Sequence, residues 1–451
     1  YPMTIVNDDE NTYAHITLSE LENGSTYEYR VQANNTIDNT NTIPTPPEYR
    51  SFTVHQPASW WNTAWQKRKM ITIDHEMVED TFTNFPVLIS IPSDTELASA
   101  AQSNGNDIVF INQSGTKLNH QLELYNDTSG QLIAWVNVTE LFDTSDTSLY
   151  LYYGNGVCGN QENVAGTWSA HYRMVQHLNE PTATHYDSTS YANDGTYYGS
   201  TQDATGIIDG ADQLVRVDDQ DGDYVDCGKD TSLDVTSEIT VSAWIKPEDQ
   251  TGWNHIVTKG ADNPNRVYQL SLTVDEIIDF RLNANTSSAA VSSVSVPIGT
   301  WSYVVGTYDG STVKVYINGV EYGSAAWSNP INTNEVHLRI GSRVQGTGNT
   351  GLSSWTFDGG IDEVRVSNPA HSGQWVLTEY NNQYDPDSFF DVGLEEVAPS
   401  GDTLSPVISD VTVSMSDPLD TIIGWENISC TVTDNVNVDE VKINITYPDS
   451  H

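Results

Sequence analysis

Residues 301–323, WSYVVGTYDGSTVKVYINGVEYG, constrain the fold more than any other part of the sequence. Their side chains alternate between the two faces of an extended backbone, which is the period of a half-buried β-strand. Asp309-Gly310 and Asn318-Gly319 separate the alternating stretches, and both dipeptides tolerate the positive φ that tight hairpin turns require. The segment therefore predicts an antiparallel meander.

Composition extends this expectation to the whole chain. Its 451 residues suggest three or four domains at ~100–200 residues each, and Ser, Thr, Asn, Gly, Val and Tyr favour strands and tight turns. Sixty-two acidic residues against 18 basic ones give a formal net charge of −44. Such a surface repels nucleic acids and anionic membranes. It suits high salt or a calcium-rich exterior, or it confers solubility alone.

Targeting signals are absent from the sequence. The chain begins at Tyr1, has no signal peptide, and contains no apolar run of the ~18 residues that a membrane span needs. We expect a segment of a longer, exported precursor at the cell surface or outside the cell. Cys158 and Cys227 are predicted to be unpaired rather than bridged. Possible N-glycosylation sequons occur at Asn23, Asn34, Asn112, Asn126, Asn137, Asn285, Asn427 and Asn444.

Both ends of the chain look like parts of sandwich domains. Residues 1–54 resemble the C-terminal part of a fibronectin type III domain, with a turn at 21–27 and Tyr27 as the corner tyrosine. Residues 403–451 resemble the N-terminal part of an immunoglobulin-like domain, with Cys430 at a core position. The two half-modules are either truncated or completed by strands of neighbouring subunits.

Residues 60–155 form a second predicted β unit. The opening WWNTAWQKRKMITI, the FPVLISIP and NDIVF strands and the closing LYLYYGN resemble an uncharacterised β-rich domain. That domain often precedes laminin-G-like modules in prokaryotic surface proteins, and it implies no activity. Alternation predicts strands at 70–73, 86–91, 107–111, 121–125, 132–138 and 149–153, and one helical turn at 95–102.

Residues 168–395 form the largest predicted domain. The order MVQHLNE, DSTSYANDGT, GDYVDCG, ITVSAWIKP, IVTKG, YQLSL, the meander, LRIGS and FDGGIDEVRVSN resembles a laminin-G-like, concanavalin A-like jelly roll over its whole length. The predicted fold class is all-β, with tandem antiparallel β-sandwich modules that include this jelly roll.

The resemblance also implies a structural Ca²⁺ site. In such jelly rolls the ion is often held by an early Asp-rich turn and by the Asp of the G-x-I-D-E-V strand. Those positions are Asp187 with Asn193, Asp194 and Gly195, and Asp362. The alternative is that Asp187 and Asp194 cap turns and that Asp362 ends a strand. We favour the metal, because facing carboxylates need neutralisation.

Other motifs do not indicate catalysis. The acidic run from Asp218 to Asp230 resembles an EF-hand loop only weakly, and a charged loop explains it better. The paired glutamates of jelly-roll glucanases, G-x-S-x-G, H-E-x-x-H and phosphate loops are all missing from the sequence. His171, His177 and His185 lack the spacing of a metal site and are expected to be structural. The domain is therefore predicted to be non-catalytic.

Aromatic residues in predicted loops could form a sugar platform. The candidates are Trp253, Trp327, Trp355 and Tyr198, with Tyr322 nearby, whereas Trp244, Trp301 and Trp375 fall in alternating patterns typical of core residues. Core packing of the loop tryptophans is an equal alternative.

Three functional hypotheses follow. The first is a non-catalytic structural or adhesive segment of a large prokaryotic cell-surface or extracellular filament protein, which we expect to be archaeal and stabilised by Ca²⁺. It would self-assemble or bind neighbouring surface proteins. The second is a carbohydrate-binding module of a secreted glycan-active protein. The third, for which motifs are lacking, is an enzyme in residues 60–155.

Overall fold

The computed structural model of the protein describes residues 60–399 except 183, 217–221, 250–251, 262–263, 284–287, 347–350 and 353–354. Two units are distinguished, Ala64–Val397 and residues 1–63 with 398–451. In the second unit, apart from residues 60–63 and 398–399, only the backbone of six strands is described. They pair as Thr4–Asp8 with Asn11–His15, Thr26–Tyr29 with Arg50–Thr53, and Val407–Met415 with Glu426–Thr433. The side chains of Tyr27 and Cys430 lie outside the described residues.

The first part of the Ala64–Val397 unit is a small sandwich of two antiparallel sheets. The alternating apolar residues of each strand meet in one core, which includes Ile71, Phe85, Phe110, Val136 and Leu151. The four-stranded sheet has the order Phe390–Val397, Lys67–Ile73, Thr147–Tyr153, Val109–Asn112, and the three-stranded sheet has the order Phe85–Ile91, Gln131–Val138, His120–Asn126.

All six strands predicted for residues 60–155 are present, and the predicted helical turn is the helix Thr95–Ala100. Asp94 caps this helix, because its carboxylate accepts hydrogen bonds from the N–H groups of Glu96 and Leu97.

The second part of the unit is a large sandwich, whose first sheet is built around the buried strand Gly359–Ser367. Every residue of this strand is buried, which fits a central position between neighbours on both edges. The order is Thr201–Thr205, Gly210–Leu214, Gly359–Ser367, Ile239–Pro247, Ser302–Tyr308, Thr312–Ile317, Val320–Ala326, and Tyr172–Gln176 also pairs with Gly359–Ser367.

The predicted meander forms the edge of this sheet. Its second turn has Asn318 at φ 50° and Gly319 at φ 81°, as the Asn-Gly dipeptide predicts. Gly306, in the first strand of the meander, allows the facing sheet to approach closely, since a Cβ there would overlap the ring of Phe280.

The second sheet of the large sandwich contains eight strands. The order is Thr184–His185, Gly195–Tyr198, Tyr224–Asp226, Leu338–Ile340, Asn254–Gly260, Arg266–Leu272, Ile277–Leu282, Ala289–Ser295. Val257, Leu270 and Phe280 contribute its inner face to a shared core with the first sheet. Val344–Gln345 and Gly351–Leu352 form a separate two-stranded ribbon.

Helical elements are short, apart from the helix Gly373–Tyr384. Ser372 caps it by accepting from the N–H of Trp375, and it packs between the two sandwiches. Asn382 exchanges two hydrogen bonds with the backbone of Leu88 in the small sandwich, and Gln383 accepts from the indole N–H of Trp244 in the large one. The remaining helical turns are His75–Met77, Val164–Thr167, Thr231–Leu233 and Pro386–Phe389. In the described part of the chain no helix is long and apolar enough to cross a membrane.

The predicted end of the jelly roll, residue 395, falls inside the strand Phe390–Val397. That strand pairs with Lys67–Ile73, so it completes the small sandwich rather than the large one. The physical reason is burial and charge. Phe389 and Phe390 enter the core of the small sandwich, and the Arg68 guanidinium lies 2.6 Å from the Glu396 carboxylate.

We expect Phe389→Ala to destabilise the small sandwich by about 3–5 kcal/mol, because it leaves a cavity among fully buried residues. The matched control is Leu394→Ala, since Leu394 is 79% exposed on the same segment and should change stability by less than about 0.5 kcal/mol. Urea unfolding of the full chain, followed by tryptophan fluorescence, measures both. Equal effects of the two substitutions would contradict the observed closure.

Candidate ligand-binding face

The outer face of the second sheet of the large sandwich carries a continuous row of polar side chains. Residues directly opposite one another in neighbouring strands point to the same side of a sheet. On the inner side such residues are apolar. On the outer side the row is Asp226, Arg339, Thr258, Gln269 and Arg281, and a second row is His255, Ser271 and Asp279.

These polar side chains are largely withdrawn from solvent. Arg339, Gln269 and Asp279 are each about 1% exposed, and Thr258 and His255 are fully buried. Burial of polar groups outside an apolar core costs free energy unless partners satisfy them. Several of these side chains are satisfied by the protein itself, since Arg281 pairs with Asp279 and Arg339 pairs with Asp226.

Two tryptophans lie beside the second row. The rings of Trp253 and Trp355 are 6.4 Å apart and inclined by 29°, and Trp355 is 41% exposed. The guanidinium of Arg281 lies 5.5 Å from the Trp253 ring, and that of Arg343 lies 5.1 Å from the Trp355 ring. Both distances are within the range of cation–π contacts.

Arg216 completes this group from a different strand connection. Its Nε donates to the carbonyl of Thr356 at 3.0 Å, and a terminal nitrogen donates to Asn254 Oδ1. Thr356 follows Trp355 in the chain and Asn254 follows Trp253, so Arg216 contacts the residue next to each tryptophan. We call Trp253, Trp355, Arg216, Arg281, Arg343 and His255 together the arginine–tryptophan face.

His255 is neutral at the centre of this face. Burial lowers its pKa well below the usual value, and the charges of Arg343, Arg266 and Arg216 lower that pKa further. Its ring lies 6.1 Å from that of Trp355, and Nδ1 is 3.0 Å from Ser271 Oγ.

Two polar atoms of the sheet face have no hydrogen-bond partner within the described part of the chain. They are His255 Nε2 and Thr258 Oγ1, both fully buried. An unsatisfied buried polar group costs about 1–3 kcal/mol, so such groups in a native protein call for an explanation. Since both atoms are closed to solvent, a ligand on the surface of the sheet reaches neither of them without a local rearrangement.

The predicted sugar platform is therefore assembled in part. Trp253 and Trp355 come together, whereas Tyr198 stacks on Tyr224 at 4.5 Å, towards the other end of the sheet, where Arg339 lies over the Tyr224 ring. Trp327 is half-buried against the core of the large sandwich and does not join them.

The three arginines of this face were missed in the sequence, because they come from one strand and two separate connections. Of the predicted core tryptophans, Trp244 is fully buried, Trp375 packs against the core of the small sandwich, and Trp301 packs beside Trp244.

The Asp187 turn of the predicted calcium site is closed by protein hydrogen bonds. Asp187 Oδ1 accepts from the N–H groups of Val175 and Thr189, and Oδ2 accepts from Thr189 Oγ1 and the N–H of Asn193. A carboxylate offers about four acceptor positions, so these donors leave none for a cation. Asp194 accepts from the Asp187 N–H and caps the same turn.

Asp362, the other predicted ligand, is held by a different segment. The Asp362 Oδ2 atom accepts from the N–H groups of Ile207 and Ile208. Gly195, a further predicted ligand, begins the strand that pairs with Thr184–His185. The arrangement at Asp187 does not fit calcium ligation. The calcium site stays a prediction.

Another cluster, Glu123, His177 and Glu363, joins the two sandwiches. His177 Nδ1 lies 2.6 Å from Glu363 Oε1 and 3.3 Å from Glu123 Oε2, and Glu363 Oε2 accepts from Arg365 at 2.7 Å. Trp135 donates its indole N–H to Glu123. His177 and both glutamate side chains are buried, so the cluster binds the sandwiches together and is closed to a substrate.

Charge decides the protonation of this cluster. Burial raises the pKa of Glu123 well above its usual value. Burial also acts on Glu363, but the nearby charges of His177 and Arg365 outweigh it and lower the pKa of that carboxyl. For His177, burial is outweighed by Glu363 and Glu123, which raise its pKa to about 9. Glu123 is therefore the protonated acid, facing an ionised Glu363.

Asp74, His75 and Asp146 form the remaining group of three whose ligand atoms lie within 4.8 Å of one another among the described residues. A pocket of about 190 Å³ lies next to Asp146. Asp146 accepts from both nitrogens of His75 that face it, Nδ1 and the backbone N–H, while Asp74 caps the short helix His75–Met77. Local hydrogen bonds account for this exposed group.

The remaining sequence predictions are placed as follows. Cys158 and Cys227 are unpaired, as predicted. Asp223 accepts from the N–H of Val215, and Asp226 pairs with Arg339, in accord with a charged structural loop rather than an EF-hand; Asp218, Asp219 and Asp221 lie outside the described residues.

Three of the candidate glycosylation sites are described. Asn137 is buried, and its Nδ2, the atom that a glycan would modify, donates to the carbonyl of Thr167 at 2.9 Å. Because this nitrogen is buried and already hydrogen-bonded, we correct the prediction that Asn137 carries a glycan. Asn126 is exposed and Asn112 is half-buried. The side chains of Asn23, Asn34, Asn285, Asn427 and Asn444 lie outside the described residues.

Comparisons with known proteins support the two central domains. Residues 219–377 match the family described as the Concanavalin A-like lectin/glucanases superfamily, and residues 104–194 match a domain of unknown function, DUF2341. The jelly-roll prediction and the all-β fold class are thereby confirmed. The fibronectin-like and immunoglobulin-like ends stay predictions. No curated protein sequence matches the chain.

Solved structures resemble this chain at low identity. Domain 4 of AbnA, a GH43 extracellular arabinanase from Geobacillus stearothermophilus, in complex with arabinotriose, is 22% identical; 46% of this chain and 96% of that chain are covered, with a TM-score of 0.34. Botulinum neurotoxin type C, whose cell entry depends on interaction with two ganglioside molecules, is 14% identical, with 47% and 51% covered and a TM-score of 0.37. The chain thus spans about half of that neurotoxin structure. At these TM-scores neither likeness bears on function.

Within the buried cluster, we expect Glu363→Gln to destabilise the chain by about 3–5 kcal/mol, because it removes one partner of a buried ion pair. Glu123→Gln is the matched control. It replaces a protonated acid by a neutral amide of the same shape, and should cost no more than about 1 kcal/mol. Denaturant unfolding at pH 7 separates the two. Similar losses would contradict the protonation states described above.

For the Asp187 turn, we expect a chelator to leave the thermal midpoint of the chain unchanged. Asp187→Asn should lower the midpoint, because an amide nitrogen cannot accept the N–H groups that the carboxylate binds. Differential scanning calorimetry with and without EGTA measures this. A midpoint that falls on chelation and recovers with added Ca²⁺ would favour the calcium site instead.

Proposed function

We propose that the chain is a non-catalytic adhesive segment of a secreted or cell-surface protein, and that it binds glycans on the arginine–tryptophan face. The observation that carries this proposal is the pair of tryptophans Trp253 and Trp355 on one sheet face, with Trp355 41% exposed and Arg281 beside Trp253. Sugars present apolar ring faces and many hydroxyl groups, so they bind to surfaces that offer aromatic rings beside hydrogen-bonding groups.

The carboxylates of the sheet face favour binding over hydrolysis. Asp279 accepts from Nε and Nη2 of Arg281, and Asp226 is shared between Arg339 and His337. A glycoside hydrolase needs one carboxyl group that can release a proton and another that can attack or activate water. Carboxylates held in ion pairs with arginine are poorly suited to either role.

The attachment of the small sandwich suits an adhesive role. The strand Phe390–Val397 returns to the small sandwich after the large one is complete, and the helix Gly373–Tyr384 contacts both. A ligand bound to the large sandwich would therefore pull on a single compact unit. The acidic composition and the remaining exposed sequon at Asn126 are compatible with an extracellular location.

We expect Trp253→Ala and Trp355→Ala each to weaken glycan binding about 30-fold, since the loss of a central aromatic anchor typically costs about 2 kcal/mol. Tyr384→Ala is the control, because Tyr384 is 58% exposed on the helix Gly373–Tyr384 and lies away from the sheet face. A glycan array with the full chain identifies ligands, and titration calorimetry quantifies them. Unchanged binding by both tryptophan variants would exclude this face as the site.

A further inference from the structure

A pocket of about 190 Å³ opens between the two sheets of the small sandwich. Val138 of the three-stranded sheet, Leu149 of the four-stranded sheet and Leu118 line it with buried apolar side chains that belong to the core of this sandwich. The half-buried side chains of Phe142 and Asn112 line it as well. Such a lining suits a sugar ring, which presents apolar faces and hydroxyl groups.

One of the predicted glycosylation sites forms part of the pocket wall. Asn112 and Ser114 are the first and third residues of the sequon Asn-Gln-Ser, and both line the pocket. Asn112 ends the strand Val109–Asn112 and begins a tight turn, in which Gly115 donates its N–H to the Asn112 carbonyl at 2.9 Å. A glycan attached to Asn112 would therefore begin at the pocket.

The amide of Asn112 is oriented by its oxygen and keeps its nitrogen available. Oδ1 accepts from the Ser114 hydroxyl at 2.7 Å and from the Thr116 N–H at 2.8 Å. Across the part of the chain that the structure describes, nothing accepts a hydrogen bond from Nδ2. Since Nδ2 is the atom that a glycan modifies, attachment here breaks no hydrogen bond, in contrast to Asn137.

We propose that Asn112 carries an N-linked glycan and that the first sugar of this glycan occupies the pocket, with one ring face against Phe142. The site lies in the small sandwich and is independent of glycan binding by the large one. A docked sugar covers the opening between the two sheets and holds the turn after Asn112 against the core. The modification is thus structural, and it belongs to the fold of the small sandwich.

The chain is the acceptor in the transfer that this proposal requires. The donor is a glycan linked through C1 to the phosphate or pyrophosphate of a polyprenyl carrier, and a membrane glycosyltransferase of the cell performs the reaction. The C1–O bond of the donor breaks and a bond forms between C1 and Asn112 Nδ2. The carrier leaves with the electrons of the broken bond, and Nδ2 loses one proton. No group is oxidised or reduced.

Asn126 provides a matched control within the same chain. It also ends a strand, His120–Asn126, and its Oδ1 accepts from the N–H groups of Thr128 and Ser129 in the following turn. Its sequon is Asn-Asp-Thr, but Asn126 is exposed and does not line this pocket. A glycan on Asn126 should therefore extend into solvent.

The test uses the full chain secreted from a eukaryotic host cell, in which the first sugar of the glycan is N-acetylglucosamine. Peptide mass spectrometry measures the occupancy of both asparagines. Peptide N-glycosidase then cleaves the bond between Nδ2 and the first sugar, leaving aspartate. We expect Asn112 to be occupied and to lose its glycan about tenfold more slowly than Asn126 from the folded chain, because the enzyme reaches a docked sugar only after it leaves the pocket. The denatured chain should release both glycans at equal rates.

Substitution of Phe142 locates the contact. Phe142→Ala should remove most of the protection at Asn112 and leave release from Asn126 unchanged. Tyr186→Ala is the control, because it truncates an aromatic side chain that is 64% exposed on the large sandwich. Unfolding midpoints confirm that each variant is folded. The comparison of Asn112 with Asn126 in the unsubstituted chain holds even if Phe142→Ala fails to fold.

Three results would contradict the proposal. An unmodified Asn112, with or without a glycan on Asn126, would overturn it outright. A glycan on Asn112 that is released from the folded chain as fast as that on Asn126 would show that the sugar does not dock. Protection that Phe142→Ala leaves unchanged would place the sugar outside the pocket. None of these results bears on glycan binding by the arginine–tryptophan face.

Discussion

The buried charges of the strand Gly359–Ser367 set the arrangement of the Ala64–Val397 unit. A charge in a protein interior must be paired, because leaving it alone costs several kcal/mol. Glu363 finds His177 and Arg365, and Arg365 in turn lies 4.3 Å from the ring of Trp135 and within reach of Glu379 in the helix Gly373–Tyr384. Since the partners come from the small sandwich, the large sandwich and the helix, this one set of contacts fixes the three together.

The two sheets of the large sandwich use their outer sides differently. The first sheet faces the helix and the charged cluster on one side and the core on the other, so its polar residues are committed to structure. In the second sheet the apolar side alone is needed for the core. Its outer side instead carries a polar row in which His255 and Thr258 retain unpartnered atoms. Such local cost is common at binding sites, where a stable scaffold tolerates it.

The sequence predicted what depends on local patterns and missed what depends on distant contacts. Period-two alternation identified all six strands before residue 155, and Asp-Gly and Asn-Gly placed the meander turns. Their positions in predicted loops also identified Trp253 and Trp355 as candidates for a sugar platform. The pairing of Phe390–Val397 with Lys67–Ile73 depends on a register between distant segments, which alternation does not encode. The arginines of the sheet face were missed for the same reason, because each is unremarkable in its own segment. A turn-capping aspartate and a calcium-binding one share the same local pattern, so the sequence alone does not decide between the two roles for Asp187.

The net charge of the whole chain and the charges near the sheet face act on a ligand over different distances. The formal charge of −44 describes the whole sequence, but at physiological salt each charge is felt only over about 8–10 Å. A bound glycan would therefore respond to the groups that it touches, such as Trp253 and Arg281, more than to acidic residues elsewhere on the surface. The long-range repulsion would slow the approach of an acidic polymer at low salt, and added salt would relieve it while buried contacts are screened less. At physiological salt the formal charge of the whole chain therefore contributes little to what the sheet face can bind.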